Sequence, residues 1–168
     1  LTVQPGTVVQ FNYGDINLTV DGTLNASGTA GSPIIFTSSF DNSPTGGSNT
    51  AGNGYWGSIQ FGGTSTANVM DHVEVRYGGW SLDSIVDTTA PLTLTNSVIR
   101  NSYRNGLRIV AASPTVTGVT FQNNLGAAVS MDLAAQPVIT SATATNIALN
   151  GARLDGGTIE CEPVSLTR

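Results

Sequence analysis

The stretch "SPTVTGVTFQNN", residues 113–124, is one of three similar copies of a phrase in this chain. "APLTLTNSVIRN" precedes it, beginning at Ala90, and "QPVITSATATN" follows it, beginning at Gln136. Pro91, Pro114 and Pro137 stand at equal intervals in the three copies. A repeat of this length is typical of a solenoid, in which each copy forms one coil and stacks on its neighbour.

Apolar residues also recur at equivalent positions in each copy. They fall in short alternating bursts separated by Gly, Asn or Pro, and no burst is long enough for a helix. The first column comprises Met70, Leu94, Val116 and Ile139. A second column follows shortly after it in each copy and comprises Val75, Ile99, Phe121 and Ala144. A third comprises Ile59, Ile85, Ile109, Met131 and Leu154. We expect three short parallel strands per copy, with these columns forming the core and like residues about 4.8 Å apart.

Asparagines recur beside these columns. Asn101, Asn123 and Asn146 stand two positions after the second apolar column, where the preceding copy has Tyr77. Stacked asparagines at a bend can hydrogen-bond from one coil to the next. We therefore expect these asparagines and the three repeated prolines to form structural ladders rather than a binding site.

The first third of the chain follows the repeat less closely. "LTVQPGTVVQF" and "LTVDGTLNASGTAGSPIIFTS" contain short apolar runs interrupted by Pro-Gly and Asp-Gly bends. Residues 40–57, "FDNSPTGGSNTAGNGYWG", are too polar and glycine-rich for a strand. We expect them to form a loop inserted into one coil.

The composition excludes several classes of protein. Charged residues are only 10% of the chain, threonine is abundant and lysine is absent, which favours β structure. A net charge of −5 disfavours nucleic acid as a partner, and no apolar stretch is long enough to span a membrane. Cys161 is the single cysteine, so we expect no disulfide framework, metal cluster or cofactor.

Residues 1–79 resemble a known family of repeats. "LTVQPGTVVQF", "LTVDGTLNASGTAGSPIIFTS", "GYWGSIQF" and "MDHVEVRYGG" are similar, in this order, to the right-handed, pectate-lyase-like parallel β-helix repeats of large bacterial surface and secreted proteins. Relatives often carry acidic runs in the insertion that suggest calcium, whereas this chain has only Asp41 there. The resemblance and the repeat together predict an all-β, single right-handed parallel β-helix, one domain over 1–168. It should have about seven coils of roughly 23 residues each, a period within the range of solenoid repeats.

Enzymes on this fold use clustered carboxylates, and lyases often add an arginine. The candidates are Asp71, Asp83, Asp87, Asp132 and Asp155, with Arg76 and Arg100. Asp71 and Asp83 could share a face because they belong to one coil, but the acids show no repeated pairing of the kind that glycosidases need. Arg76 and Arg100 fit a solvated outer ladder, so we expect no enzymatic activity.

Other patterns suggest weaker alternatives. His72 beside Asp71 fits a bend residue better than a catalytic pair, because no nucleophile motif accompanies it. Ice-binding solenoids present flat paired threonine rows, but a bend separates the two threonine columns expected here. Those columns are Thr95, Thr117 and Thr140, and then Thr120 and Thr143.

The richest aromatic group flanks the insertion. It comprises Tyr55, Trp56, Tyr77 and Trp80. Exposed flat aromatics bind sugars, so these residues are a candidate glycan platform, and the alternative is that they pack in the core, as large aromatic residues more often do.

The ends of the chain bear on function. Leu1 begins directly in an apparent strand, without an initiator Met, and "TIECEPVSLTR" at the other end is no obvious cap. We expect a processed chain or a piece of a longer one, whose partners are flanking domains or head-to-tail copies of itself. The expected function is a non-enzymatic extracellular or cell-surface solenoid, an adhesin stalk or filament subunit. The alternative is a carbohydrate-binding module or a polysaccharide lyase or hydrolase fragment.

Overall fold

The computed structural model of the chain describes residues 1–156. Eighteen strands form three parallel sheets of six strands each, so the described residues contain six complete coils of three strands. The predicted right-handed, all-β solenoid of about seven coils of about 23 residues is confirmed. Cys161 and the segment 158–168 lie outside the described residues.

The three sheets form three faces of the solenoid, and each coil contributes one strand to each face. Sheet A contains Thr2–Val3 (β1), Asn25–Ser27 (β4), Asn68–Asp71 (β7), Leu92–Thr95 (β10), Thr115–Thr117 (β13) and Val138–Thr140 (β16). Sheet B contains Val8–Phe11 (β2), Ile34–Ser38 (β5), Val73–Arg76 (β8), Val98–Arg100 (β11), Thr120–Gln122 (β14) and Thr143–Thr145 (β17). Sheet C contains Leu18–Val20 (β3), Ile59–Phe61 (β6), Ile85–Thr88 (β9), Leu107–Val110 (β12), Ala127–Met131 (β15) and Leu149–Leu154 (β18). The one helical element in the described chain is a 3₁₀ turn, Ser43–Thr45, and no helix among residues 1–156 is long and apolar enough to cross a membrane.

Left-handed backbone conformation turns the chain at its corners. Asn101, Asn123 and Asn146 have φ values of 58°, 53° and 51° at the corner between sheets B and C. Asparagine adopts this conformation at less cost than most residues, which explains its recurrence there. His72, with φ of 49°, occupies the corner between sheets A and B, so it is the bend residue that the repeat indicates.

Two expected core columns lie in register. In sheet A, Leu94 pairs with Met70 and Val116, and Val116 pairs with Ile139. In sheet B, the pairs join Val75, Ile99, Phe121 and Ala144 in sequence. Most of these side chains are fully buried, and they belong to one core that extends along the solenoid.

The third expected column is wrong in its register. Ile85 pairs with Leu107 rather than with Ile109, and Ile109 pairs with Asp87. Residues two apart on a strand face the same side, so Ile85 and Asp87 both point into the core. Aligning the copies by apolar residues alone skips Asp87, because a carboxylate is not expected in a core. The alignment therefore places Ile85 and Ile109 in one column, although they belong to two.

The insertion is a loop, as expected, and connects β5 to β6 over residues 39–58. It is anchored by Asp41, whose carboxylate is fully buried against sheet B. Thr37 Oγ1 and Arg76 Nη1 donate to Asp41 Oδ2 at 2.8 and 3.2 Å, and Ser43 Oγ donates to Oδ1 at 2.6 Å. The loop thereby covers part of the outer face of sheet B.

The expectation of a solvated ladder is wrong for Arg76, because the loop buries its side chain. Arg76 forms ion pairs with Asp41 and with Glu74, at 3.2 and 2.6 Å, and Glu74 also pairs with Arg100. Burial disfavours the charged forms. The hydrogen bonds and charges of the partners outweigh this effect and lower the pKa of Glu74 and raise that of Arg76.

Candidate functional site

The two longest connections of the described solenoid, 39–58 and 77–84, lie at one corner, between sheets B and C. Each of the six described coils passes this corner, through residues 12–17, 39–58, 77–84, 101–106, 123–126 and 146–148. In these coils, connections at the other two corners have at most six residues, and a single residue turns the chain between β7 and β8. The longest irregular segments and their side chains therefore lie along the B–C edge.

A row of large exposed side chains follows this edge. Its members, which we call the corner platform, are Tyr13, Phe40, Tyr55, Trp80, Tyr103 and Leu125, all at least partly exposed. The exposed fraction reaches 54% for Tyr13 and Tyr103 and 40% for Trp80. Soluble proteins rarely expose contiguous apolar surface without a use for it.

Four of the five aromatic rings of the corner platform, all but that of Tyr103, contact one another. The ring of Tyr13 lies 4.8 Å from Trp80 and 5.3 Å from Tyr55, edge-on to each. Phe40 lies 5.5 Å from Tyr55 in a similar arrangement. Edge-to-face packing holds aromatic rings in fixed orientations, so the platform is preorganised.

An open groove continues the platform along the corner. Its first part, about 330 Å³, is lined by Asn53, Gly54, Trp80 and Tyr103. Gly54 has φ of 73°, and a Cβ there would lie 2.7 Å from Cβ of Tyr103, so only glycine permits this close approach. Asn53 Nδ2 donates to the backbone oxygens of Ser102 and Asn123, both at 3.2 Å, which fastens the insertion loop to the later coils.

The corner asparagines line the second part of the groove. Asn101, Asn123 and Asn146 border it beside Asn53 and Leu125. Asn146 Nδ2 donates to Asn123 Oδ1 at 2.7 Å, which is the coil-to-coil bond that a ladder requires. The asparagines are thus placed both to stack on each other and to present amide groups to a ligand.

The candidate glycan platform requires exposed side chains, and this prediction is wrong for two of its four residues. Trp56 is fully buried, stacks on Phe11 at 4.2 Å and donates from Nε1 to the carbonyl oxygen of Arg76 at 2.7 Å. Tyr77 is buried, and burial raises its pKa. Both side chains pack inside because they stand at inward positions of the coil, and only Tyr55 and Trp80 belong to the exposed corner.

Sequence reasoning missed the other members of the platform. Tyr103 and Leu125 stand two positions after Asn101 and Asn123, and Tyr13 and Phe40 stand two positions after Phe11 and Ser38, which pair in the ladder. The repeat therefore contained the signal as a fixed offset from the corner. It could not be recognised without knowing that the first two coils share that corner.

The five candidate carboxylates do not all converge on one cleft: Asp83 and Asp155 lie beside the same two arginines, and the other three lie elsewhere. Asp71 lies on the outside of sheet A, Asp83 at the B–C corner, Asp87 in the core, Asp132 after β15 and Asp155 after β18. The expectation that Asp71 and Asp83 share a face is wrong, because the chain crosses the whole of sheet B between them. Among residues 1–156, no three His, Cys, Asp or Glu side chains group closely enough to hold a metal ion.

Each carboxylate has a different local role. Burial opposes ionisation of Asp71, but hydrogen bonds from Thr95 and Asn96 outweigh it and lower its pKa. Burial raises the pKa of Asp83, although Asn105 donates to it from its backbone N–H at 2.9 Å and from Nδ2 at 2.8 Å. Burial raises the pKa of Asp87 to about 7, against a weak opposing effect of the nearby backbone N–H of Ala90, and neither carboxylate oxygen has a hydrogen bond of normal geometry among the described residues.

The threonine columns lie on different faces. Thr95, Thr117 and Thr140 belong to sheet A, whereas Thr120 and Thr143 belong to sheet B. The A–B corner separates them, so they do not make one flat surface.

The fold and the corner define the class of protein as a parallel β-solenoid with a preorganised aromatic edge. Comparison of the chain with protein-family models, curated proteins and solved structures returned no match. The resemblance to repeats of bacterial surface proteins therefore stays a prediction.

Proposed function

We propose that the chain is a non-enzymatic structural segment of an extracellular or cell-surface protein, either an adhesin stalk or a filament subunit. The observation that supports this role is the continuity of the solenoid, in which one register and one core extend through six coils. Such a body resists bending because every backbone ladder and every core column crosses each coil boundary. The extracellular location rests on the resemblance.

The first coil supports stacking on a neighbour. Its apolar surface is an open groove of about 410 Å³ whose lining includes Leu1, Val3, Val9, Phe11 and Leu18. β1, β2 and β3 are edge strands of the three sheets in the described chain, and unpaired edges readily accept another strand. The neighbour is an adjoining segment of a longer chain or another copy, and head-to-tail contacts between unlike ends generate filaments.

A concentration series tests stacking between copies. Sedimentation velocity and negative-stain electron microscopy should show oligomers or fibres that grow with concentration. Leu1→Glu should weaken them because it places a charge on the open first coil, where Leu1 is 68% exposed. Leu133→Glu is the matched control, because Leu133 is also an exposed leucine but lies between β15 and β16. A chain that stays monomeric at high concentration contradicts the filament form of the proposal.

A second candidate function is carbohydrate binding at the corner platform. The specific observation in its favour is the row of exposed, mutually oriented aromatic rings beside an asparagine-lined groove. Aromatic faces cover the apolar faces of sugar rings, and amide groups bond their hydroxyls. We propose no lyase or hydrolase activity, because the two candidate carboxylates that lie beside one pocket are already engaged, Asp83 by Asn105 and Asp155 by Arg108 and Arg153.

Fluorescence can test this second candidate through the two tryptophans. Trp80 is exposed and Trp56 is fully buried, so a bound oligosaccharide should change the emission of Trp80. The change should disappear in Trp80→Phe, in which only Trp56 reports. An unchanged signal across a panel of neutral and acidic oligosaccharides would contradict carbohydrate binding at the platform.

A further inference from the structure

Half of the arginines in the chain line one pocket. Arg104, Arg108 and Arg153 border a cavity of about 350 Å³ on the sheet C side of the B–C corner. Arg108 and Arg153 project from β12 and β18, and Arg104 stands in the connection before β12. The chain as a whole carries a net charge of −5, so this concentration of positive charge is local and opposite in sign.

The carboxylates of the pocket do not neutralise it. Asp155 Oδ2 accepts from Arg108 Nη1 at 2.6 Å, and Oδ1 accepts from Arg153 Nε at 3.1 Å. Burial opposes ionisation of Asp155, but the hydrogen bond from Ser130 and the two arginine charges outweigh it and lower its pKa. One carboxylate therefore serves two guanidinium groups.

The remaining donors are numerous. Asp83 accepts hydrogen bonds from Asn105 and is a second carboxylate near Arg108 and Arg153, so three arginines face two carboxylates, and Arg104 forms no ion pair with the described residues. Each guanidinium carries five N–H donors, and Arg108 and Arg153 each use one nitrogen on Asp155. The pocket therefore has net positive charge and donors to spare, as a site for an anionic group requires.

The arginine pocket adjoins the corner platform. Ser81, Leu82 and Asp83 line the pocket and directly follow Trp80, while Arg104 and Asn105 directly follow Tyr103. Three extended residues span at most about 11 Å, so a short oligosaccharide that stacks on Trp80 reaches the arginines.

We propose that the corner binds an acidic glycan, with the sugar rings on Trp80 and Tyr103 and a carboxylate or sulfate group in the pocket of Arg104, Arg108 and Arg153. This inference rests on the carbohydrate-binding candidate above and adds the chemical class of the ligand. Nucleic acid is a poorer fit, because its binding needs a basic surface along the whole strand and the described part of this chain has only this local pocket.

Titration calorimetry tests the inference with three probes of equal length. They are a uronate oligosaccharide, its carboxyl-reduced neutral counterpart and a sulfated oligosaccharide. We expect each acidic probe to bind roughly tenfold or more tightly than the neutral one, with the difference shrinking at high salt. The two acidic probes distinguish a carboxylate from a sulfate as the recognised group.

Matched charge variants locate the anion. Arg104→Gln should remove the preference for acidic probes, because Arg104 is an exposed member of the pocket. Arg100→Gln is the control: it removes the same charge from sheet B, where Arg100 pairs with Glu74. Circular dichroism checks that both variants remain folded.

The outcomes separate the two proposals. Preference for acidic probes that is lost in Arg104→Gln and kept in Arg100→Gln supports the inference. Equal binding of neutral and acidic probes that is lost in Trp80→Ala overturns the inference and leaves the carbohydrate-binding candidate standing. An acidic preference that falls equally in both arginine variants overturns the pocket as its origin. Absence of binding by any probe overturns both.

Discussion

Asp41 and Asp87 are both fully buried, yet their environments are opposite. Asp41, beneath the insertion loop, accepts hydrogen bonds from Thr37, Ser43 and Arg76, and these outweigh burial and lower its pKa. Asp87 stands in a core column between Phe61 and Ile109, where, in the described chain, only the backbone N–H of Ala90 lies near enough to favour its charge, and burial raises its pKa to about 7.

Since both carboxylates are equally deep, the difference lies in their partners: several hydrogen bonds and a charged arginine favour the anion at Asp41, whereas Asp83, which only Asn105 hydrogen-bonds among residues 1–156, keeps a raised pKa. A buried ion that is paired and hydrogen-bonded offsets much of its desolvation, whereas an isolated one remains costly or takes up a proton. Asp41 therefore fixes the loop as an anion, and Asp87 enters the core as a neutral acid at low pH.

A carboxylate introduced into an apolar column should behave as an extreme form of Asp87. Val116→Asp places a charge at a fully buried position that valine fills in the native core. We expect a loss of ~5 kcal/mol or more and an unfolded coil stack, measured by circular dichroism during chemical denaturation. Thr117→Asp, at the next position and facing outward, should remain folded. Normal stability of Val116→Asp would contradict the register of sheet A.

The pH dependence of stability should reveal Asp87. Its pKa is raised in the folded protein from 3.8 to about 7, so the folded state binds more protons than the unfolded state between these values. The contribution of Asp87 to the free energy of unfolding is therefore present at pH 4 and is lost as the pH rises to 7. The loss is ~4 kcal/mol. Asp87→Asn should abolish this loss in urea denaturation curves. Asp21→Asn, at an exposed residue, should keep it. Parallel profiles for wild type and Asp87→Asn would contradict the isolated burial of Asp87.

Loss of the charge at Asp41 should destabilise the protein, whereas loss of the charge at Asp87 should stabilise it at neutral pH. Asp41→Asn weakens the bonds to Arg76 and Ser43, and a hydrogen bond to a charged group contributes ~1.5–3 kcal/mol. We expect faster proteolytic cleavage within residues 39–58 while the coils stay folded. The wild-type loop should loosen in the same way as the pH falls through the lowered pKa of Asp41, because protonation removes the anion. An unaltered cleavage rate in the variant would show that the loop does not depend on this carboxylate.

Substitution of a corner asparagine should lower the stability by a smaller amount, since the polar groups of these residues are exposed. Asn123→Ala removes the bond to Asn146 and puts alanine at φ of 53°, which costs ~1–2 kcal/mol. Asn123→Gly relieves the backbone strain and loses only the bond, so thermal unfolding should place it between wild type and the alanine variant. Equal stabilities of the two variants would mean that left-handed backbone is not the reason for asparagine there.

The sequence predicted the solenoid because its repeat is a physical requirement of stacking. Equivalent residues of successive coils contact each other, so a column such as that of Leu94 and Val116 must be apolar in each coil. The bends at Asn101 and Asn123 were predictable for the same reason, since each coil turns at the same point. The polar, glycine-rich composition of residues 40–57 indicated that they form a loop.

Only the tertiary structure decided which side chains meet across the insertion and along the B–C corner. The burial of Trp56 and Arg76 depends on where the loop folds back, and the closeness of Tyr13 to Trp80 joins residues from coils separated by that loop. The position of Asp87 in the core likewise followed from register, because apolar matching cannot anticipate a buried acid. Periodic contacts are fixed by local sequence, whereas these contacts join segments far apart in the chain and outside the repeat.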